Sequence, residues 1–186
     1  MANAQNLQEL STQVRNTLRE IPDYPKPGIL FYDITTILEN AECLHKIIAF
    51  WKARYVNQNI THIVGIESRG FTFGSALAYA LGVGFIPVRK KGKLPFATYS
   101  QEYALEYGTD TLEIHQDAFA SVQERGEKAR VVLVDDLLAT GGTAAASIKL
   151  IEKAGGECIE ACFLIRLVEL EGHKKLTTNF MNILDC

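Results

Sequence analysis

The sequence predicts an α/β fold with a parallel central sheet flanked by helices. Short runs of apolar and β-branched residues alternate along the chain with segments of helical periodicity, a pattern typical of strands joined by helical connections. Several of these runs, such as residues 131–134 (VVLV), are apolar at every position. Strands buried on both faces of a parallel sheet have this composition. Ligands are then expected at the carboxyl ends of the strands.

The first predicted element is an amphipathic helix, because apolar residues recur every three or four positions between Leu7 and Ile21. Prolines and a glycine within residues 22–28 end this helix, and residues 29–35 (ILFYDIT) follow as an extended arm. A second helix is predicted where apolar residues recur between Leu44 and Tyr55.

The remaining elements alternate to the carboxyl end. The predicted strands are 60–66, 83–89, 111–115, 131–135, 157–167 and 179–184, and the predicted helices are 70–82 and 142–154. Residues 90–110 are polar and weakly periodic, so no regular element is predicted there. A connection of this length in a compact domain is typical of a lid or of disorder.

Size and charge limit the kind of protein. A chain of 186 residues fits one domain, and a net charge of −3 disfavours an extended nucleic-acid surface. The first residues do not resemble a signal peptide, and no apolar run reaches membrane-spanning length. The four cysteines are too dispersed for a zinc site, so no metal held by protein side chains alone is predicted. These features predict a cytoplasmic protein with neither a nucleic-acid nor a membrane partner.

The segment Ala139, Thr140, Gly141, Gly142, Thr143 is a glycine-rich turn that leads into a predicted helix. Such a turn presents unpaired backbone N–H groups and the positive end of the helix dipole, which suit a phosphate. The two threonine hydroxyls add further donors. The alternative is that Thr143 only caps the helix while the two glycines make a tight turn.

Two adjacent acids, Asp135 and Asp136, follow the apolar strand and precede this turn. Charge at the mouth of a buried strand is costly unless it has a partner, and capping explains one acid better than two. Carboxylates can accept hydrogen bonds from sugar hydroxyls or hold the water shell of Mg²⁺. The acids and the turn together therefore predict a site for a sugar phosphate. A nucleotide-binding P-loop is excluded because no Lys-Ser or Lys-Thr follows the glycines.

Residues 131–143 (VVLVDDLLATGGT) resemble the phosphoribosyl pyrophosphate signature of the type I phosphoribosyltransferases. Four more segments are similar to the members of that family that act on adenine: 22–35 (PDYPKPGILFYDIT), 67–71 (ESRGF), 89–95 (RKKGKLP) and 105–118 (LEYGTDTLEIHQDA). The similarity covers most of the chain, from near residue 22 to near residue 172.

The resemblance implies a reaction and an organisation. Adenine and phosphoribosyl pyrophosphate would give AMP and pyrophosphate, with Mg²⁺ bound mainly through the pyrophosphate and ribose hydroxyls of the substrate. The fold would be a single domain over residues 1–186, with a core at about 36–170. A hood would form from about residues 1–35 and the carboxyl-terminal end. Members of the family are usually homodimers.

The resemblance also assigns the phosphate and pyrophosphate sites. Ala139 to Thr143 would hold the 5′-phosphate, and Asp135 and Asp136 the ribose hydroxyls. The loop of Glu67, Ser68 and Arg69 would grip pyrophosphate, with Arg69 also assisting catalysis, and its Glu67–Ser68 bond is typically a non-proline cis peptide. The alternative for Arg69 is a surface ion pair.

The basic run of Arg89, Lys90, Lys91 and Lys93 would neutralise pyrophosphate, although such a run is more often a solvated loop. In relatives, some of these groups reach across the dimer. Because the ribosyl centre left by pyrophosphate is open to water, residues 90–110 are expected to close as a lid.

The lid carries Glu106 and Tyr107, and the resemblance makes Glu106 the candidate for handling a proton on adenine. An exposed Glu is otherwise usually just solvated. The base pocket would include Leu30, Phe31 and Leu167, with Phe31 stacking on the purine or serving as plain core. This chain departs from many relatives at Tyr32, where they have Arg, and from some at Arg166, where they have an acid.

Two other functions remain open for this fold. One is a catalytically silent regulator that binds phosphoribosyl groups; it would need an added DNA-binding module, and the residues before the arm contain no basic recognition helix. The other is an enzyme that uses xanthine, guanine or orotate instead of adenine. The fold does not choose among these bases, so the choice depends on the hood and lid motifs.

Overall fold

The computed structural model describes residues 2–104 and 108–186. The chain begins with a long helix, a two-stranded antiparallel hairpin and two further helices. These elements are α1 (Ala2–Thr17), β1 (Arg19–Pro22), β2 (Leu30–Asp33), α2 (Thr35–Glu39) and α3 (Ala41–Tyr55). The hairpin confirms the extended arm for Leu30–Asp33, whereas the end of the predicted arm was wrong because Thr35 begins α2.

The main sheet and its helices follow. They are β3 (His62–Ile66), α4 (Arg69–Leu81), β4 (Gly84–Lys90), β5 (Thr98–Ala104), β6 (Thr109–His115), α5 (Ala120–Gln123), β7 (Ala129–Leu138), α6 (Gly142–Lys153), β8 (Gly156–Arg166) and β9 (Asn179–Asp185). Two 3₁₀ turns, Val168–Leu170 and Gly172–Lys175, connect β8 to β9. Within the described residues, no helix is both long enough and apolar enough to span a membrane.

The main sheet has seven strands in the order β5-β6-β4-β3-β7-β8-β9. The five strands from β4 to β9 run parallel, whereas β5 and β6 form an antiparallel edge. The parallel centre confirms the predicted fold class. The antiparallel edge was not predicted.

Alternate side chains of the central strands enter two separate cores. On β7, Val132 and Val134 face one core with α1, α3 and α4, while Val131 and Leu133 face the other with α5 and α6. Since successive side chains of a strand point to opposite faces, a strand covered on both sides must be apolar at every position. This is the physical reason for the continuous apolar run at residues 131–134.

The first predicted helix was too long. The structure ends α1 at Thr17, and the next residues turn into β1, where Ile21 lies opposite Phe31 of β2. Leu18 and Ile21 continue the helical spacing of apolar residues, but Pro22 does not extend a helix and the strand pairing satisfies the backbone instead.

The prediction that residues 90–110 lack regular structure was wrong for Thr98–Ala104. These residues form β5, which pairs with β6 from Thr98 opposite His115 to Ala104 opposite Thr109. The strand lies at the edge of the sheet and is partly exposed, so its sequence is largely polar and carries little hydrophobic pattern.

Strand β7 also extends beyond its predicted end. Its pairing with β3 stops at Val134, but its pairing with β8 continues through Asp135 to Leu138. Asp135 and Asp136 therefore lie within the strand, just beyond the point where its pairing with β3 stops. This places both carboxylates at the carboxyl edge of the central sheet.

Candidate active site

A cavity of about 280 Å³ opens at the carboxyl ends of β3 and β7. The loop after β3, the end of β7 and the turn into α6 supply most of its wall. Its lining residues are Glu67, Ser68, Arg69, Lys90, Tyr103, Leu112, Asp135, Asp136, Leu137, Leu138, Ala139, Thr140, Gly141, Thr143 and Ala144. Most of the residues predicted for substrate binding therefore meet around one space.

The turn into α6 has the geometry of an anion site. Gly141 has φ +77°, a left-handed conformation that glycine adopts without strain, and α6 begins at Gly142. The N-cap position is Gly141, and no side-chain capping hydrogen bond is found there in the described part of the chain, so the alternative in which Thr143 serves as the cap is wrong. The N–H groups of the first turn have no acceptor within the helix, which leaves them available to a phosphate.

Of the two adjacent acids, Asp136 is buried and Asp135 is partly buried. Asp136 is only 3% exposed, and Asp135 Oδ1 accepts a hydrogen bond of 2.9 Å from the Asp136 N–H. Burial and the charge of Asp136 raise the pKa of Asp135 well above its ordinary value. Burial also raises the pKa of Asp136, and the Arg69 charge offsets part of that rise. A pair held in this way favours a ligand that brings hydrogen-bond donors or positive charge.

Arg69 is the cation nearest to this pair. Its Nε lies 3.0 Å from Asp136 Oδ2, but the N–H is not aligned for a hydrogen bond, and Oδ2 has no hydrogen-bond partner among the described residues. The same guanidinium lies 5.6 Å from the ring centroid of Phe31 in the β2 arm. Arg69 thus joins the acid pair to the arm, and its partner is a buried acid rather than a surface one.

The loop between β3 and α4 approaches β7 closely. A Cβ atom on Gly70 would lie 2.7 Å from the Val134 carbonyl oxygen and 2.9 Å from Asp135 Oδ1, so only glycine fits at this position. The Glu67–Ser68 peptide bond is cis, as the resemblance implied. The absence of a side chain at Gly70 lets the start of α4 lie against the acids.

The basic run after β4 is partly paired within the protein. Arg89 Nε donates to Glu67 Oε2 at 3.1 Å, and its Nη1 donates to the Lys93 carbonyl at 3.0 Å. Burial raises the pKa of Glu67, but hydrogen bonds from Arg89 and the Lys90 N–H lower it by more. The pKa of Glu67 is therefore below its ordinary value. Lys90 Nζ lies 3.3 Å from Asp110 Oδ2. Of the run, Lys90 lines the cavity, whereas Arg89 acts on the loop through Glu67 and Lys93 is exposed.

Residues 33–181 match the family described as Phosphoribosyl transferase domain. An adenine phosphoribosyltransferase of Helicobacter pylori is 61% identical to this chain over 163 residues, which are 88% of this chain and 89% of that protein. The chain belongs to the adenine phosphoribosyltransferase family. The resemblance found in residues 131–143 is confirmed, and members of this family are enzymes that transfer a pentosyl group.

Solved structures of the adenine phosphoribosyltransferase family have the same fold. The enzyme of Rhodothermus marinus is 45% identical, with a TM-score of 0.86 over 98% of this chain and 99% of that chain. The enzyme of Saccharomyces cerevisiae, complexed with an imino-altritol bisphosphate and adenine, is 38% identical, with a TM-score of 0.87 over 95% of this chain and 99% of that chain.

Some of the residues predicted for the base pocket do not line the cavity. Leu30, Phe31 and Leu167 do not line it, although Phe31 reaches it through Arg69, and the Leu167 N–H donates to the Leu138 carbonyl at 2.9 Å. Glu106 and Tyr107 fall outside the described residues.

The two departures from the family pattern both contact the carboxyl-terminal strand. Arg166 forms a two-point ion pair with Asp185, at 2.8 and 2.9 Å. Burial, with the Cys186 thiol as a hydrogen-bond partner, raises the pKa of Tyr32 to about 12. Tyr32 therefore connects the arm to the end of the chain, and Arg166 connects β8 to it.

Sequence reasoning missed Tyr103, which lines the cavity from β5. Burial raises the pKa of its phenol, whose oxygen lies 3.4 Å from Asp110 Oδ2. The signal was the even spacing of Tyr99 and Tyr103, which puts both rings on one face of a strand. This spacing indicates a shared face only in a strand, and no strand was predicted for these residues. The other missed lining residues are apolar and carry no chemical signal: Leu112, Leu137, Leu138 and Ala144.

Proposed function

We propose that this chain transfers the 5-phosphoribosyl group of phosphoribosyl pyrophosphate to adenine. A ring nitrogen of adenine forms the new bond to C1′ of the ribose, pyrophosphate leaves with the electron pair of the old bond, and adenine loses a proton, giving AMP. The observation that carries the proposal is the meeting of an acid pair and an uncapped glycine turn around one cavity. Relatives with the same motifs are named for this reaction.

The cavity suggests a role for each group. The amides of the turn from Ala139 to Thr143 bind the 5′-phosphate, and Asp135 and Asp136 accept hydrogen bonds from the ribose hydroxyls. Arg69 and Lys90 face the pyrophosphate, with Glu67 and Ser68 shaping the loop and Arg89 and Lys93 adding positive charge behind it. Positive groups fixed at the leaving group stabilise the charge that develops there.

The residues present fit a substrate-bound Mg²⁺. Asp136 Oδ2 is buried without a hydrogen-bond partner in the described part of the chain, and Asp135 lies beside it, so the pair can accept from the water shell of a cation. Mg²⁺ would neutralise part of the pyrophosphate charge as that group leaves. Asp135 and Asp136 would orient it through the ribose hydroxyls and water.

The base site is assigned to the arm and the lid. Phe31 packs edge-on against Tyr24, with ring centroids 5.1 Å apart, and lies under the Arg69 guanidinium, so a purine stacking on this ring would lie beside Arg69. Leu30 and Leu167 would contribute the apolar contacts. By family resemblance, Glu106 handles the adenine proton, and Tyr107 beside it on the lid is assigned to substrate binding. The S. cerevisiae relative, complexed with adenine, supports a base pocket in this family.

We also propose a single domain with a hood from about residues 1–35 and the carboxyl-terminal end, assembled as a homodimer in the cytoplasm. The contact of Phe31 with Arg69 places the β2 arm next to the cavity, as a hood requires. Tyr79 on α4 is 91% exposed, and a large exposed aromatic favours a protein interface. The four cysteines are free thiols, which suits a reducing compartment. Sedimentation velocity at several concentrations tests the dimer.

A base panel tests the reaction. Purified protein with Mg²⁺ and phosphoribosyl pyrophosphate should convert adenine to AMP and leave hypoxanthine, guanine, xanthine and orotate largely unchanged. Asp136→Asn, purified in parallel, controls for contaminating activity and should lose most of the rate. Faster turnover of another base would overturn the adenine assignment. Tight binding of phosphoribosyl pyrophosphate without turnover of any base would indicate the silent regulator.

A further inference from the structure

The 3₁₀ turn Gly172–Lys175 packs directly against the phosphate turn. A Cβ atom on Gly172 would lie 2.6 Å from the Gly141 nitrogen and 2.8 Å from the Thr140 carbonyl carbon, and closer still to the Ala139 carbonyl oxygen. In the other direction, a Cβ atom on Gly141 would lie 2.8 Å from the Gly172 carbonyl carbon. Two backbones therefore touch with no side chain between them.

This contact involves rigid groups on both sides. All the atoms named belong to the backbone, so no flexible side chain can move aside to admit a methyl group. Gly172 is buried, yet it does not line the cavity formed by Thr140 and Gly141. It therefore lies behind the phosphate turn and contacts no ligand in the cavity itself.

The turn that carries Gly172 is anchored by contacts of its own. The Lys174 N–H donates to the Glu171 carbonyl at 3.0 Å, and the Leu176 N–H donates to the His173 carbonyl at 3.1 Å. The His173 ring packs on Phe180 of β9, with centroids 5.5 Å apart. Upstream, the Val168 N–H donates to the Cys186 carbonyl at 2.9 Å. These contacts hold the turn that carries Gly172 against β9 and the end of the chain.

We propose that Gly172 is a positioning residue for the phosphate turn, and that its missing side chain sets how far back Thr140 and Gly141 lie. An anion bound by several backbone N–H groups needs all of them at hydrogen-bond distance at once, so a small displacement of the turn weakens every bond. The proposal rests on the proposed function, because it takes the turn as the 5′-phosphate site.

Gly172→Ala tests this with a single methyl group. Gly172 does not have a positive φ, so alanine meets no backbone strain there and the effect is steric. We expect the KM for phosphoribosyl pyrophosphate to rise about tenfold or more with kcat changed far less, because the lost binding is shared by ground state and transition state. Ribose 5-phosphate affinity, measured by calorimetry, should fall by a similar factor. Lys175→Ala, an exposed change in the same turn, is the matched control and should leave both values unchanged.

The experiment distinguishes a failure of the Gly172 proposal from a failure of the proposed function. Ribose 5-phosphate binding needs no base, so it tests Gly172 even if the wild-type protein fails to make AMP from adenine. An unchanged affinity in a folded Gly172→Ala protein, or a lower kcat at unchanged KM, would overturn the positioning role. If that variant is insoluble, His173→Ala decides, because it loosens the anchor on Phe180 without adding atoms near the phosphate turn. It should raise the KM about threefold, on the scale of a partly lost contact, and no change would reject the proposal.

Discussion

Asp135 and Asp136 are two neighbouring carboxylates near the end of the buried strand β7. The Asp136 N–H donates to Asp135 Oδ1, and Arg69 lies 3.0 Å from the second acid, but neither contact fully offsets burial and mutual repulsion. Groups held in an unfavourable charge state commonly belong to functional sites. The same unpaired charge that lowers the stability of the folded protein lets these carboxylates accept hydrogen bonds from a ligand.

Asp135→Asn should therefore stabilise the protein at neutral pH. The amide keeps an oxygen that accepts the Asp136 N–H but carries no charge to desolvate. Because burial and Asp136 raise the folded-state pKa of Asp135, the wild-type protein loses stability as pH rises from the ordinary value through the folded one. We expect Asp135→Asn to raise the free energy of unfolding at pH 7 by about 1 kcal/mol or more, and the gain to shrink toward pH 4.

Urea unfolding at several pH values measures this gain. The same variant should bind ribose 5-phosphate more weakly, because an amide is a poorer acceptor for the sugar hydroxyls. A variant less stable than the wild type at pH 7 would show that the carboxylate is a net stabilising group.

Glu106→Gln distinguishes a proton-handling residue from a solvated one. The substitution preserves size and polarity but removes the basic carboxylate, so the chemical step should slow by about 10²-fold or more if Glu106 takes part. Substrate affinity should change far less, since the interaction is needed mainly in the transition state. Single-turnover kinetics separate the chemical step from product release. A chemical step near the wild-type rate would remove Glu106 from the mechanism.

At the scale of elements, the antiparallel β5–β6 edge lies over the start of α6. A Cβ atom on Gly142 would lie 3.2 Å from the Ala104 carbonyl oxygen and 3.4 Å from Tyr103 Cδ2. Lys153, at the other end of α6, donates to the Ser100 carbonyl at 3.0 Å. The strand therefore contacts the helix at both ends, and Gly142 permits the close approach at the phosphate end.

Gly142→Val should push β5 away from the phosphate turn and block the anion site, while the two cores stay packed. We expect AMP affinity, measured by calorimetry, to fall about tenfold or more, which corresponds to about 1.4 kcal/mol. Lys149→Val, on the exposed side of the same helix, is the control and should bind AMP normally. Wild-type affinity in folded Gly142→Val would mean that the turn is not the phosphate site.

Across the whole molecule, the packing of the helices positions the site. Phe73 of α4 is fully buried and meets Trp51 of α3 edge to face, with ring centroids 5.9 Å apart. The same helix begins at Arg69, so its packing on α3 and β3 determines where that guanidinium lies.

Phe73→Ala should destabilise the protein by about 3–5 kcal/mol, as expected when a buried aromatic leaves a cavity. Urea unfolding measures this loss. Phe96→Ala is the control, because Phe96 is 63% exposed and a surface change of this kind stays within about 0.5 kcal/mol. A loss below about 1 kcal/mol for Phe73→Ala would mean that this part of the core collapses around the missing ring.

The sequence by itself determined the fold class, the order of the parallel strands along the chain and the glycine turn before α6. These features are local: apolar runs at 131–134, a glycine turn before a helix, and two acids between them. Local patterns of this kind can be recognised without knowing the neighbours. The family resemblance supplied adenine as the base and the proposed role of Glu106, because no pattern of charge or periodicity indicates either.

Only the tertiary structure decided the antiparallel edge, the end of α1 at Thr17 and the contacts of Arg69, Tyr103 and Gly172. Strand β5 exists because β6 pairs with it, and Gly172 matters because its turn, some thirty residues after Gly141, packs against the turn that contains Gly141. Such contacts join residues far apart in the chain, and a largely polar strand or a single glycine has no local signature of them. The physical reason is that strand pairing and close backbone contacts depend on which distant segment lies alongside in the fold, and local sequence patterns do not identify that segment.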